Sequence, residues 1–437
     1  MKIKLAVPLF CLAFLFCCRA DHNSNQVNHY KIEIKLDPTT KHIHVKSTLG
    51  LTPGVPTPDN LTFYLHKQFT IHDVSGHGVE RFSFDKETPS PVNWMPEGRA
   101  LTIGLDKKSS DYKRLKLFFE YEGVISEWPG WSANVITEDW VELGQYLPWF
   151  PYNQEYGPFT FEIEAECNPG YSLGSFGSVK KAGRKWLFKW MSPTTDIVLI
   201  ASNSLKTIQQ ESGRIRVHVH YSLIHDTTAE KLTGDLMGII ELYEAWFGGY
   251  KGGEITLVES LRERGGGYAR IGLISLAGLS DDKYKAQHEA YIRYLAHEAG
   301  HMWWTQAPTD NWEDWMNEGF AEYSALMIIK ELFGEEAFNR RIEAKKSILA
   351  EKPPIWGFDR NDRTTPEKSD AVEAILYSKG PILLHLLEQR IGRDDFHSLC
   401  KEMVRSSISS TKDFLNLLRK NYGIEFRDWF EDLLRLY

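Results

Sequence analysis

Cysteine is scarce in this sequence: five residues in 437, three of them at Cys11, Cys17 and Cys18. Only Cys167 and Cys400 are left for the folded part, and they fall in different halves of the chain. Two distant cysteines exclude a disulfide framework and a cysteine-based zinc site, and read as two buried thiols. Long basic runs are also missing. With a formal net charge of −8, this argues against a nucleic-acid partner. There is no internal repeat and no low-complexity linker. The one long apolar run, Leu5 to Phe16, is too short to span a bilayer comfortably.

That run follows Lys2 and Lys4 and precedes Cys17-Cys18-Arg19-Ala20 and the polar Asp21-His22-Asn23-Ser24-Asn25. Basic start, apolar middle and small-residue end make residues 1–20 a secretory signal peptide. Two cleavage readings stand. Leu15-Phe16-Cys17-Cys18 has the outline of a lipoprotein box that would lipidate Cys18 and attach the chain to a membrane; the other reading cuts after Ala20. Either way the protein is expected to be exported, as a periplasmic, outer-surface lipoprotein or secreted species. The full sequence is 42% hydrophobic and 25% charged, so it can bury a large core, and its length suggests two or three domains.

From Gln26 to about Asn203 the hydrophobic period is two. Tyr30, Ile32, Ile34 and Leu36 alternate with Lys31, Glu33 and Lys35; Leu115–Tyr121 and Phe159–Ala165 repeat the pattern. Turn signals such as Pro53-Gly54 and Asn168-Pro169-Gly170 separate the runs, so this part reads as a β-sandwich or saddle. His42 and His44 alternate like a metal pair but fall on the polar side of a strand, and read as solvated. Beyond Ser204 to Ile208 the character changes. Leu232, Leu236, Ile239, Ile240, Tyr243 and Trp246 have helical spacing, Glu254 to Glu259 is a strand, and Ile271 to Leu276 reads as an edge strand. After Asp282 nearly everything is helical. The fold class is therefore multidomain, β followed by α+β, with a β domain over 21–205 and a second domain over 206–437.

The second domain contains His297-Glu298-Ala299-Gly300-His301. On a helix, positions i and i+4 lie about 40° apart, so both imidazoles can reach one tetrahedral zinc. A catalytic zinc needs a third protein ligand and an open position for water. Glu318, in Asn317-Glu318-Gly319 at the start of the next helical run, is the donor. Glu298, rotated about 100° from His297, aims past the metal and can act as general base on the water. Ligands need partners that orient them, and Glu322, one turn beyond Glu318, is the nearest candidate.

Together with Trp315-Met316-Asn317-Glu318-Gly319-Phe320-Ala321, this stretch resembles the membrane alanyl aminopeptidase (aminopeptidase N-like) family of gluzincin zinc metallopeptidases. The resemblance implies an N-terminal β-saddle followed by a thermolysin-like catalytic domain, with one zinc ion per chain. It also implies that Tyr377, in Tyr377-Ser378-Lys379-Gly380, donates a hydrogen bond to the developing oxyanion. Four departures stand out. Sixteen residues separate His301 from Glu318, two fewer than is usual in the family. Ala325 stands where the family places an acidic residue, a role Glu322 can take. The exopeptidase motif G-x-M-E-N is altered to Gly266-Gly267-Tyr268-Ala269-Arg270, so the glutamate that holds a substrate's free amine is replaced by Ala269 beside a cation. The chain stops at Tyr437, where longer relatives continue into a helical domain, and this short form is expected to have a more open cleft.

Gly267, Tyr268, Ala269 and Arg270 are thus the expected substrate-binding edge. Glu155 roughly matches a second amine-binding position in the saddle, and Arg270 would favour a substrate carboxylate. The leading reading is a zinc-dependent metallopeptidase acting on a peptide or protein substrate, aminopeptidase-like but with endopeptidase activity or modified N-terminal selectivity. The alternative is a zinc-containing surface protein that binds peptides or glycopeptides with little or no turnover. Oligomeric state is not legible.

Overall fold

The computed structural model describes residues 27–52, 58–107, 112–262, 267–347 and 352–436. The expected signal segment, Cys18 and Gly266 lie outside these residues. The N-terminal part is built on a seven-stranded sheet whose middle strand, Asn28–Asp37, runs antiparallel to His42–Leu51 and parallel to Phe159–Cys167. Ile32 sits opposite Ser47 on one side and Ile163 on the other. One-residue alternation puts Tyr30, Ile32, Ile34 and Leu36 in the core and Lys31, Glu33 and Lys35 in water. A slip of one residue would exchange these sets, so burial fixes the register. His42 and His44 lie on the polar face and pair with Glu122 and Glu120. A three-stranded sheet (Asn60–His66, Val79–Pro89, Gly98–Leu105) and a four-stranded one (Val135–Ile136, Val141–Leu143, Ser172–Ser175, Leu199–Ser202) complete this β-rich half. Cys167 and Cys400 are free thiols; Cys400 is buried and Cys167 half-buried.

A fourth, five-stranded sheet begins at Lys206. Ile215–Tyr221, Glu254–Ser260 and Leu273–Ala277 run parallel at its centre, with Lys206–Ser212 at one edge and Tyr268–Arg270 at the other. The apolar run expected as the edge is therefore an interior strand, Leu273–Ala277. The edge is Tyr268–Arg270, folded back against it. Gly272 makes the reversal: its φ of 93° suits glycine, and a Cβ there would stand 2.2 Å from the Trp190 ring of the other domain.

Helix α1 (Asp226–Phe247) makes the crossover between the first two parallel strands, with Leu232, Leu236, Ile239, Ile240 and Tyr243 buried along one stripe. The rest is helical: α2 (Asp281–Ala286), α3 (His288–Gly300), α4 (Trp315–Phe333), α5 (Glu335–Ser347), α6 (Pro366–Ala374), α7 (Gly380–Ile391), α8 (Arg393–Arg405), α9 (Thr411–Tyr422) and α10 (Ile424–Leu436). A π-helical turn, Ile375–Lys379, joins α6 to α7.

Two buried carboxylates of the β-rich half bind the sheet of the helical half. Glu142 accepts from Ser260 Oγ (2.8 Å), Tyr268 OH (2.8 Å) and Ser275 Oγ (3.1 Å). Asp196 accepts from Arg270 Nε at 3.0 Å and from the backbone N–H of Gln145 at 2.9 Å. Both contacts fall on the edge strand, which is thereby held from the β-rich side.

Candidate active site

Helix α3 buries Ile292, Leu295, Ala296 and Ala299 against the core, a spacing of three and four that leaves His297 and Glu298 lining the cleft, with His301 capping the helix one turn after His297. Tyr243 OH of α1 donates to the Ala296 carbonyl at 2.9 Å, which ties α3 to its neighbour beside the first histidine. The imidazole rings of His297 and His301 are 5.0 Å apart and nearly perpendicular. Glu318, in the first turn of α4, brings Oε2 to 3.3 Å from His297 Nε2 and 3.6 Å from His301 Nε2. One ligand atom from each of the three residues lies within 4.8 Å of the others.

Small residues make this convergence possible. A Cβ on Gly300 would lie 3.1 Å from Ala321 Cα, and one on Gly380 would lie 3.1 Å from Gly319 Cα. The three helices that carry His301, Glu318 and Tyr377 therefore pack backbone to backbone next to the residues that matter. The short connection between α3 and α4 is pinned by Asn317, whose amide donates to Ala307 O (3.0 Å) and accepts from Ala307 N (3.1 Å). Glu318 is thus placed correctly despite the shortened spacing.

The donor set fits a divalent cation. Glu318 Oε2 is buried with no hydrogen-bond partner among the described residues and faces both Nε2 atoms. Burial would lower the His297 imidazole, but Glu318 and Glu322 outweigh it and push the group up to about 10. The carboxylates thus favour positive charge at this point, and two imidazoles with one carboxylate is the zinc pattern. The other ring nitrogens are oriented from behind. His301 Nδ1 lies 3.1 Å from Trp304 O, which leaves its Nε2 lone pair for a metal. His297 Nδ1 lies 3.1 Å from Glu322 Oε2, somewhat off the ideal hydrogen-bond axis. Glu322 is fully buried and gripped by Arg293 (2.7 and 2.8 Å) and Lys345 (2.6 Å). Burial alone would raise its carboxyl; Lys345, His297 and Arg293 hold it below the ordinary range.

Glu298 is buried beside this centre, and burial raises its carboxyl above the ordinary value. The Tyr377 ring is 5.6 Å from that of His297, and burial keeps the phenol firmly neutral. The π-helical turn presents it, a local widening common at functional positions. A cleft of about 970 Å³ opens over these groups, lined also by Gly267, Tyr294, Asp370 and Glu373.

The expected substrate-binding residues divide. Gly267 lines the cleft and donates its N–H to Tyr294 OH; a Cβ there would stand 1.7 Å from Ser275 O. Tyr268 and Arg270 do not face the cleft. Successive strand residues point to opposite faces, so the two share the face packed on the β-rich half. Tyr268 binds Glu142. Arg270 binds Asp196 and donates to Ala269 O at 2.8 Å, its guanidinium lying between the rings of Tyr146 (5.1 Å) and Tyr268 (4.6 Å). Its donors are spent, so the expected hold on a substrate carboxylate is corrected. Glu155 is corrected as well: it is exposed on a short 3₁₀ turn capped by Asn153 and is not among the residues lining the cleft. Sequence reading missed Glu142, Asp196, Arg293 and Lys345. Two signals were available: Glu142 is a lone charge in the apolar run Trp140–Leu143, and Arg293 lies one turn before His297.

Two histidines one turn apart, a glutamate between them and a carboxylate from the following helix define the gluzincin class of zinc site. Residues 273–432 match the peptidase family M1 domain. The match lies within the helical half that carries the three convergent residues, and the β-rich N-terminal part stands outside it. A probable aminopeptidase of Sulfurisphaera tokodaii is 28% identical over 42% of this chain and 26% of its own length. Bovine glutamyl aminopeptidase is 22% identical over 54% and 26%. The chain spans about a quarter of the length of each. In fold it is similar to the M1 zinc metallopeptidase of Deinococcus radiodurans, with a TM-score of 0.67, 17% identity and 94% of both chains covered. It is likewise similar to Saccharomyces cerevisiae leukotriene A4 hydrolase, with a TM-score of 0.68, 18% identity, 93% of this chain and 67% of that one.

Proposed function

We propose that this protein hydrolyses peptide bonds with one zinc ion per chain, held by His297, His301 and Glu318. The observation that carries the reading is the placement of Glu298 and Tyr377 beside three convergent ligand atoms under one cleft. The metal supplies Lewis acidity, which lowers the pKa of water and polarises a carbonyl. Glu298 takes the proton of the attacking water and returns it to the leaving amine. Tyr377, neutral and anchored, donates to the oxygen on which charge develops. Glu322, Arg293 and Lys345 keep His297 from turning. That the Deinococcus radiodurans relative has been solved with a Tyr-Ser-Ala substrate supports a peptide as ligand. Export, by lipidation at Cys18 or cleavage after Ala20, belongs to the same reading.

On this assignment Tyr377→Phe lowers kcat by about 10²–10³-fold, with KM changed far less. Steady-state kinetics on one peptide check this, and a loss confined to KM would assign the phenol to binding instead.

Selectivity follows from the edge strand. Ala269 offers no anion, and the buried carboxylates Glu142 and Asp196 are already taken by Tyr268 and Arg270. Cleavage therefore does not depend on a free α-amine. For one peptide offered free and N-acetylated, kcat/KM is expected to differ by less than about tenfold, roughly 1.4 kcal/mol. Cleavage of the free form alone, located by mass, would restore strict aminopeptidase selectivity.

A further inference from the structure

A proline interrupts the backbone bonding just after Tyr377. In an α-helix the carbonyl of Tyr377 would accept from the N–H four residues on, and that residue is Pro381, which has none. The missing donor is replaced from outside the helix. Lys345, in the last turn of α5, donates Nζ to Tyr377 O at 2.5 Å. The same ammonium pairs with Glu322 Oε1 at 2.6 Å. Glu322 stands behind the His297 ring, its Oε2 3.1 Å from Nδ1. One cation thus spans two sides of the centre: the turn that presents the phenol and the carboxylate that orients a ligand.

Arg293 makes the useful contrast. It grips both oxygens of Glu322, at 2.7 and 2.8 Å, and pairs with no other group among the described residues. Glu322 would therefore keep a two-oxygen cation without the lysine. What Lys345 alone adds is the bond to the turn. That turn is widened, with Gly380 N–H reaching back to Ile375 O, and the proline leaves it one backbone bond short. The carbonyl and the side chain of one residue rotate together, so fixing Tyr377 O aims the phenol, whose ring lies 5.6 Å from that of His297.

We propose that Lys345 is a positioning residue for Tyr377: it holds the carbonyl that Pro381 leaves open, and keeps the phenol in register with the His297 side of the centre. The part of its effect that runs through the phenol cannot exceed what the phenol itself contributes. A misplacement of about 1 Å costs on the order of 10²-fold, which falls inside that bound. The inference rests on the peptidase reading above.

The test is a double-mutant cycle in zinc-loaded protein. Lys345→Met keeps the unbranched chain and removes the donor. It is expected to lower kcat by about 10–10²-fold, with KM changed by less than about threefold. In the Tyr377→Phe background the same change costs less than about threefold, because no phenol is left to misplace. Arg293→Met, which strips the other cation from Glu322 without touching the turn, costs the same factor in both backgrounds. The Kd of a non-hydrolysable phosphonate peptide, whose oxygen mimics the developing oxyanion, repeats the pattern without turnover. Where the Tm shows that Lys345→Met does not fold, the cycle is run in Glu322→Gln protein, which strands no carboxylate. Failure to fold there as well makes Lys345 a purely structural strut and overturns the proposal. So does no loss at all, or an equal loss with and without the phenol. No cleavage of any peptide by the wild type overturns the peptidase reading with it.

Discussion

Glu298→Gln protein retains its zinc and loses peptide turnover by about 10²–10⁴-fold, the usual contribution of a positioned general base. Glutamine fills the same space, so the shape of the cleft and the three ligands are unchanged. What it cannot do is hold a proton. Glu298 is only 7% exposed, and the charges that act on its carboxyl are those of His297, His301, Glu318 and Arg270. No other carboxylate on α3 is placed to substitute. Glu322, the nearest buried alternative, is committed to Arg293 and Lys345 and held below the carboxylate range, which makes it a poor base. Metal analysis and turnover on the same sample make the measurement. Turnover within tenfold of wild type would assign the base elsewhere. Biological function undiminished in this variant would favour a peptide-binding protein over an enzyme.

The second large effect is on stability. Asp196→Ala is expected to cost about 3–5 kcal/mol, because it leaves Arg270 charged, buried and without its carboxylate. Asp196 is 1% exposed and the Arg270 side chain 10%, so water can do little to compensate. The same change frees the edge strand Tyr268–Arg270 on the side that faces the cleft through Gly267. Activity should therefore fall before the protein unfolds globally. The double variant Asp196→Ala with Arg270→Met should recover part of the loss, since removing both charges costs less than stranding one. Chemical denaturation of the three proteins checks this. A double variant less stable than the single one would mean that the pair does more than neutralise itself.

The fold was largely legible because its signals are local. Alternation along Asn28–Asp37 follows from one buried face, and the stripe on α1 from helical geometry. The convergence of His297, His301 and Glu318 was legible for the same reason, since the histidines are fixed by one helix and the glutamate by the next. What escaped depends on which way a strand faces. Matching Gly266–Arg270 to a motif aligned the residues but not their sides, and Tyr268 and Arg270 turn toward another domain. Glu155 and Glu142 illustrate the same limit. Both are carboxylates of the β-rich half, but only tertiary pairing makes one a buried clamp and the other a solvated turn.

The π-helical turn has a consequence for how this stretch of chain is phased. Gly380 N–H donates to Ile375 O, five residues back rather than four, so the turn holds one extra residue. One residue is worth about 100° of helical rotation. Upstream of it, α6 shows Asp370 and Glu373 to the cleft; downstream, α7 lays Leu383, Leu384 and Leu387 into the core. In an unbroken α-helix these two faces would fall out of step. The extra residue acts as a phase shifter, and Tyr377 sits where the phase is changed. A single-residue deletion there would not shorten the helix so much as rotate one face out of place, taking either the leucines or the phenol with it.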